Sequence, residues 1–270
     1  QATLLDGLQF LLYAPAKNPG VNQGSVLQLP AETTAYDFDA FAEGCPAAKC
    51  DAVVDVLFVF DEQQDLTTDP QIGANPDLWQ DVTDFVHQTV AGFAAGSGAS
   101  FAGHHSRIRP TLDPCDPSGD TDPLGLDDTT AKVWQNGAAS FTGYFDGRVR
   151  QNGRTNHLRM LTQALQFWWQ SSGSPVTVNS ETCTNCAGRT NPRRVIAIIL
   201  GPNTCGPEPT DAEWATFRTL RDQLGVQIQV YGLGAAGAPE FRDYLRKFAG
   251  GVDDNGNTVP DQEEYIIQFP

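Results

Sequence analysis

The sequence predicts an α/β fold, a doubly wound and mostly parallel sheet flanked by helices on both faces. Three observations carry that expectation. Val53–Phe60 (VVDVLFVF) and Arg194–Leu200 (RVIAIIL) are near-continuous apolar, β-branched runs, the pattern of strands buried on both faces. Stretches with helical spacing alternate with those runs. The resulting order, β-α-(β)-α-β-α-β-α-β, places ligands at the carboxyl ends of the strands, so the loops after Phe60 and Leu200 are where a site is expected.

The elements follow in turn. Residues 1–50 read as an irregular N-terminal extension with one short apolar element, Leu4–Tyr13, and residues 51–270 as the α/β domain. After the first strand, Asn75-Pro76 offers an N-cap and an N1 proline. The helix that follows puts Leu78, Val82, Phe85, Val86, Val90 and Phe93 on one stripe. Residues 94–135 are rich in Gly, Asp and Pro and read as a long inserted loop with a strand at Ser106–Leu112. Asn156–Trp169 is a second helix with Leu158, Leu161, Leu165 and Trp168 inward. A second inserted loop, 171–192, leads to the strand at 194–200. Thr210-x-x-Glu213 is a capping box that opens a helix burying Trp214, Phe217, Leu220 and Leu224, and Gly225 stands where that helix should stop. Val226–Leu233 alternates as a strand, Pro239–Phe248 has the pattern of another amphipathic helix, and Tyr265–Phe269 is a last strand.

Composition excludes several functions. The 270 residues carry 33 Asp and Glu against 17 Lys and Arg, a formal charge of −16 that repels phosphate backbones. The densest basic positions are Arg148–Arg150 and Arg193–Arg194, too sparse for a nucleic-acid surface. The most apolar runs are far shorter than the roughly 20 residues of a membrane-spanning helix. The chain opens with Gln1, as a processed N-terminus or a trimmed chain does.

Six cysteines, Cys45, Cys50, Cys115, Cys183, Cys186 and Cys205, are even in number and locally clustered. With an acidic, Lys-poor composition they point to disulfides and an oxidising compartment, hence a secreted or cell-surface protein. Zinc held by Cys183-x-x-Cys186 with a second pair, and free thiols, are the alternatives. Zinc is disfavoured because Cys45-x4-Cys50 is wide and no nearby His completes a set.

The first strand runs into Asp61-Glu62-Gln63-Gln64-Asp65, and here the sequence resembles the von Willebrand factor A domain family. In that family the first strand ends in Asp-x-Ser-x-Ser, the start of a metal-ion-dependent adhesion site. Further echoes follow in order. Asn75–Phe93 resembles the first helix, and Gly153-Arg154-Thr155-Asn156 the turn that supplies a metal-binding Thr. RVIAIILGPN resembles the strand that normally ends in Thr-Asp-Gly, and LGVQIQVYGLG a later strand of the family. The resemblance covers residues 51–270. It implies a protein-binding module with magnesium at the adhesion site. Asp61 and Thr155 match the pattern, but Gln63 and Asp65 replace the two serines and Gly201 falls where a second Asp belongs. The site is therefore degenerate, and acids at a sheet end without a metal are the simpler reading.

A second constellation lies in Asp253–Glu264 (DDNGNTVPDQEE). Asp253, Asn255, Asn257, the Val259 carbonyl, Asp261 and Glu264 would supply the oxygens that calcium takes on a flexible loop. The stretch resembles the Asp-rich calcium loops of secreted proteins, although glycine stands at position 4 rather than 6. An acidic turn is the structural alternative.

Catalytic patterns are weak. No nucleophile elbow, Walker loop or His-Glu-x-x-His is present. His104-His105 reads as part of a solvated loop, with a secreted hydrolase using either histidine as the enzymatic alternative. Gly232-x-Gly-x-x-Gly fits a dinucleotide fingerprint but comes late in the chain. The function expected is therefore a secreted or cell-surface module, not an enzyme, that binds a protein partner for adhesion or assembly and is stabilised by calcium. A repeating subunit of an extracellular filament or matrix is the structural alternative.

Overall fold

The computed structural model describes residues 53–61, 78–93, 97–106, 122–124, 132–137, 141, 155–169, 176–178, 181–183, 185–202, 207–252, 258–261 and 265–269. The N-terminal extension lies outside them. So do Gln63, Asp65, the Asn75-Pro76 cap, Cys45, Cys50, Cys115, Cys205, Asp253, Asn255, Asn257 and Glu264.

In chain order the elements are β1 (Asp55–Phe60), α1 (Leu78–Ala91), β2 (Ser100–His105), β3 (Asp122–Leu124), β4 (Gln135–Asn136) and α2 (His157–Trp168). They continue with β5 (Thr177–Val178), β6 (Glu181–Thr182), β7 (Arg193–Ile199), α3 (Asp211–Leu224), β8 (Val226–Leu233) and α4 (Arg242–Arg246). The chain closes with β9 (Gly250–Val252), β10 (Thr258–Val259) and β11 (Ile266–Phe269). The main sheet runs β10-β9-β8-β7-β1-β2-β3, with β11 also beside β8 and β4 also beside β2. Pairings among β2, β1, β7, β8 and β11 are parallel, and the short strands β3, β4, β9 and β10 are antiparallel.

Alternation along the central strands fills two separate cores. Val56, Phe58 and Phe60 of β1, with Ile196 and Ile198 of β7, face α1 through its stripe of Val82, Phe85, Val86 and Val90. Leu57 and Val59, with Val195, Ala197 and Ile199, face the opposite layer of α2, α3 and α4. Each such buried aliphatic or aromatic side chain is worth about 1.5–3 kcal/mol. The apolar runs therefore stay unbroken because both faces of the sheet are covered. The capping box on Thr210 and Glu213 is present, and Gly225 ends α3 at φ 66°. Trp214 and Phe217 are buried, whereas Leu220 and Leu224 are only half-buried.

Three expectations are corrected. Within the expected loop 94–135, Ser100–His105 is a strand, because pairing with β1 on one side and β3 and β4 on the other buries its backbone despite Gly103 and two histidines; the strand expected at Ser106–Leu112 lies, beyond Ser106, outside the described residues. His104 and His105 are consequently buried instead of solvated. The expected helix at 239–248 is one 3₁₀ turn, Pro239–Phe241, followed by the five-residue α4.

Within the second inserted region, β5 and β6 form a small hairpin, and Cys183 and Cys186 are joined as a disulfide. That pairing decides between the thiol, zinc and disulfide readings for these two cysteines. Their loop packs beside Trp134, Trp168 and Trp169 in the core. At the amino end of β1, the fully buried Asp55 receives two bonds from Arg189 (Nε at 2.6 Å, Nη2 at 2.5 Å) and one from Asn191 (2.9 Å). Arg189 also lies over the Trp134 ring, 4.7 Å from its centroid. This end of the sheet is closed by an internal ion pair.

Candidate functional site

Strand β1 has β2 on one side and β7 on the other, and the helices on its two flanks cover opposite faces of the sheet. The carboxyl end of β1 is thus the switch point at which such sheets open a crevice. Asp61 stands there. Its backbone N–H still donates to Ile198 O at 2.9 Å, so the ladder with β7 holds the residue in place.

The Asp61 side chain is fully buried. Thr155 Oγ1 donates to Oδ1 at 2.8 Å, and the Leu200 amide donates to Oδ2 at 3.0 Å. His157 Nε2 lies 3.0 Å from Oδ2. An ionised carboxylate only accepts, so Nε2 carries the hydrogen in that bond. On the other edge of the ring, Nδ1 lies 2.9 Å from the hydroxyl of Tyr244 in α4. Burial pushes the Tyr244 phenol well above its ordinary range, and the carboxylates of Glu208 and Asp61 push it further. Tyr244 is a neutral phenol in this site.

Local structure explains how these groups meet. Asn156 caps α2, its side chain accepting from the Arg159 amide, which aims the first turn of the helix at the end of the sheet. Thr155 and His157 flank that cap and reach Asp61 together. Leu200 follows β7 directly. Tyr244 arrives from a position 87 residues away and packs edge-on to the imidazole, with ring centroids 5.8 Å apart.

The structure therefore brings together two of the residues singled out for the adhesion site, Asp61 and Thr155. Gly201 confirms that the chain after β7 carries no second acid at that position. His157 and Tyr244 were not foreseen. Among the described residues no group of three or more His, Cys, Asp or Glu could hold a metal ion. The Asp61–Thr155 pair fits a divalent cation poorly. Magnesium takes about six oxygens in near-octahedral array, whereas Oδ2 here faces two N–H donors and the Thr155 hydroxyl is spent on Oδ1.

Of the calcium constellation, Val259 lies in β10 opposite Gly251, and Asp261 accepts from Arg221 Nη1 at 3.1 Å with Arg218 at 4.0 Å. Arg221 is itself buried and donates to Ala249 O at 2.7 Å. Asp261 is thus an ion-pair partner that ties the β10 end to α3. The glycine fingerprint also has a packing explanation. A Cβ on Gly232 would lie 2.3 Å from Ala236 O, so the residue is needed for a second 3₁₀ turn, Gly234–Gly237, to fold back against β8.

No family model and no curated protein matches the chain. Among solved structures, proximal thread matrix protein 1 from the mussel byssus, with its MIDAS motif occupied by zinc, is 16% identical with a TM-score of 0.48. That similarity covers 82% of this chain and 44% of the mussel protein, so the chain spans less than half its length. The SpRpn10 VWA domain is 8% identical with a TM-score of 0.42, covering 78% of this chain and 89% of that domain. The strand order, the parallel centre and the helices on both faces carry the assignment. The chain folds as a von Willebrand factor A-like α/β domain.

Proposed function

We propose that the chain is an extracellular or cell-surface protein-binding module, acting in adhesion or assembly, and that it recognises its partner with the carboxyl-end rim of the sheet. The observation that carries this reading is the buried hub at Asp61. It fixes to one another the end of β1, the start of α2 and the turn after β7, through Thr155, His157 and Leu200. Asp61, Thr155 and Pro202 are the described residues at this rim, and the hub holds the backbone beside each of them. The Cys183–Cys186 disulfide supports an oxidising location. No described helix is long and apolar enough to cross a membrane.

Catalysis is not part of this reading. The order Asp61–His157–Tyr244 is formally that of a nucleophile relay, but an activated nucleophile needs a lowered pKa and Tyr244 is pushed the other way. Magnesium is not part of this reading, since both oxygens of Asp61 are engaged by protein donors, while most of the residues expected to hold calcium, Asp253, Asn255, Asn257 and Glu264, lie outside the described residues.

A photo-crosslinking residue at exposed Pro202, on the rim, should capture the partner, and one at exposed Thr190, at the opposite end of β7, should not. Equal capture from both positions would refute the assignment of the face. The filament alternative predicts concentration-dependent light scattering of the chain alone that deletion of residues 1–50 abolishes.

A further inference from the structure

The least expected group at the rim is His157. It sits at the first position of α2, fully buried, with both ring nitrogens directed at named partners. Edge contacts to Tyr244 and Phe248 hold the ring, with centroids 5.8 and 6.4 Å away. A buried carboxylate needs compensation from donors or from positive charge. Here compensation comes from the protein itself: the His157 Nε2–H and the Leu200 amide are directed at Oδ2 and the Thr155 hydroxyl at Oδ1, so both oxygens already face hydrogens.

We propose that His157 is the built-in counter-group of Asp61 and takes the place of a metal ion, making the rim a metal-independent binding surface braced by an Asp61–His157–Tyr244 strut. Its atoms span two layers of the fold. Asp61 belongs to the sheet, and Tyr244 to the turn of helix packed beyond β8, so the strut fixes α2 against α4 as well as against β1. A cation-dependent rim changes when divalent ions come and go. The strut beneath this one is made of protein groups alone, so the bonds on Asp61 and the partner contacts they support persist in chelator.

The test uses the full chain and manganese as the probe. Manganese titrations followed by electron paramagnetic resonance are run on the wild-type protein and on Asp61→Asn. Any ions bound should be the same in number and strength in the two proteins. A one-to-one site present in the wild type and lost in Asp61→Asn would overturn the proposal. The positioning role of His157 is read separately from thermal unfolding in EDTA. His157→Gln retains an N–H donor at a similar reach, whereas His157→Leu retains volume without a donor. The Leu variant should melt at least about 3 °C below the Gln variant. Equal melting temperatures would mean that the ring only fills space and would overturn the strut. If His157→Leu does not fold, the manganese comparison on the wild type and Asp61→Asn still decides the claim.

Discussion

Removing the Asp61 carboxylate gives two different outcomes according to what replaces it. Asp61→Ala leaves three buried donors facing a void: the Thr155 hydroxyl, the His157 Nε2–H and the Leu200 amide. An unsatisfied buried donor costs about 1–3 kcal/mol. Partial rehydration and rotation of the Thr155 hydroxyl recover some of that, so a loss of about 4 kcal/mol is expected. Asp61→Asn keeps one acceptor for His157 and Leu200 and turns an NH₂ toward Thr155, whose hydroxyl can accept instead. Its loss is the charge assistance on two bonds, about 2 kcal/mol. At roughly 2–4 °C per kcal/mol for a chain of this size, Asn should lower the melting temperature by about 4–8 °C and Ala by about twice that. Differential scanning calorimetry in EDTA reads both values. If Asp61 were a solvated acid awaiting a metal, both variants would melt within about 1 °C of the wild type in EDTA, and that result would refute the hub.

Four further outcomes follow from other parts of the structure. Arg189→Ala strands the buried Asp55 carboxylate and should cost about 3–5 kcal/mol by denaturant unfolding, whereas Arg189→Lys keeps the charge but not the paired bonds and should fall between. Gly251 has φ +124° and a would-be Cβ 1.9 Å from Val226 O, so Gly251→Ala should destabilise by at least about 1–3 kcal/mol and loosen β9, seen as faster amide exchange there. Tyr231 and Tyr244 both have phenols raised by burial, so their neutral forms favour the fold. Their contribution is whole below the unfolded value of about 10 and is lost as pH rises above it, at up to about 1.4 kcal/mol per pH unit for each phenol. Tyr231→Phe should therefore flatten the alkaline fall in stability. Asp261→Asn weakens the bond from Arg221 and should lower the melting temperature by the same amount with calcium and with EDTA; a loss seen only with calcium would return Asp261 to the role of a calcium ligand.

The parts of the fold that were legible share one property: their signal is local. Val53–Phe60 and Arg194–Leu200 announce strands because burial on both faces demands unbroken apolarity. Thr210, Glu213 and Gly225 announce helix ends because capping involves residues three or four apart. Strand β2 is not legible because Ser-Phe-Ala-Gly-His-His has no apolar run, and its burial comes from partners far away in sequence. Strands β3, β4, β9 and β10, of two or three residues, carry no periodicity to read.

The site divides in the same way. Asp61 and Thr155 are visible because each lies next to a recognisable strand or turn. His157 falls within the expected helix Asn156–Trp169 but outside its inward stripe of Leu158, Leu161, Leu165 and Trp168, yet its position is a usable signal. It directly follows the Thr155-Asn156 cap, so it must point toward the end of the sheet. Tyr244 gave none, since only the folded chain brings α4 to α2. Asp55 was hidden inside an apolar run, and its partner Arg189 lies 134 residues on, in a loop.

The most direct measurement is native-state hydrogen exchange of the Leu200 amide in metal-free buffer containing EDTA. This N–H donates to Asp61 Oδ2 and sits beyond the last residue of β7, so its protection reports whether the carboxylate is engaged without an ion. The account predicts protection close to that of β1 and β7 amides, unchanged when magnesium, calcium or zinc is added. Fast exchange in EDTA, with protection restored by a divalent ion, would contradict it.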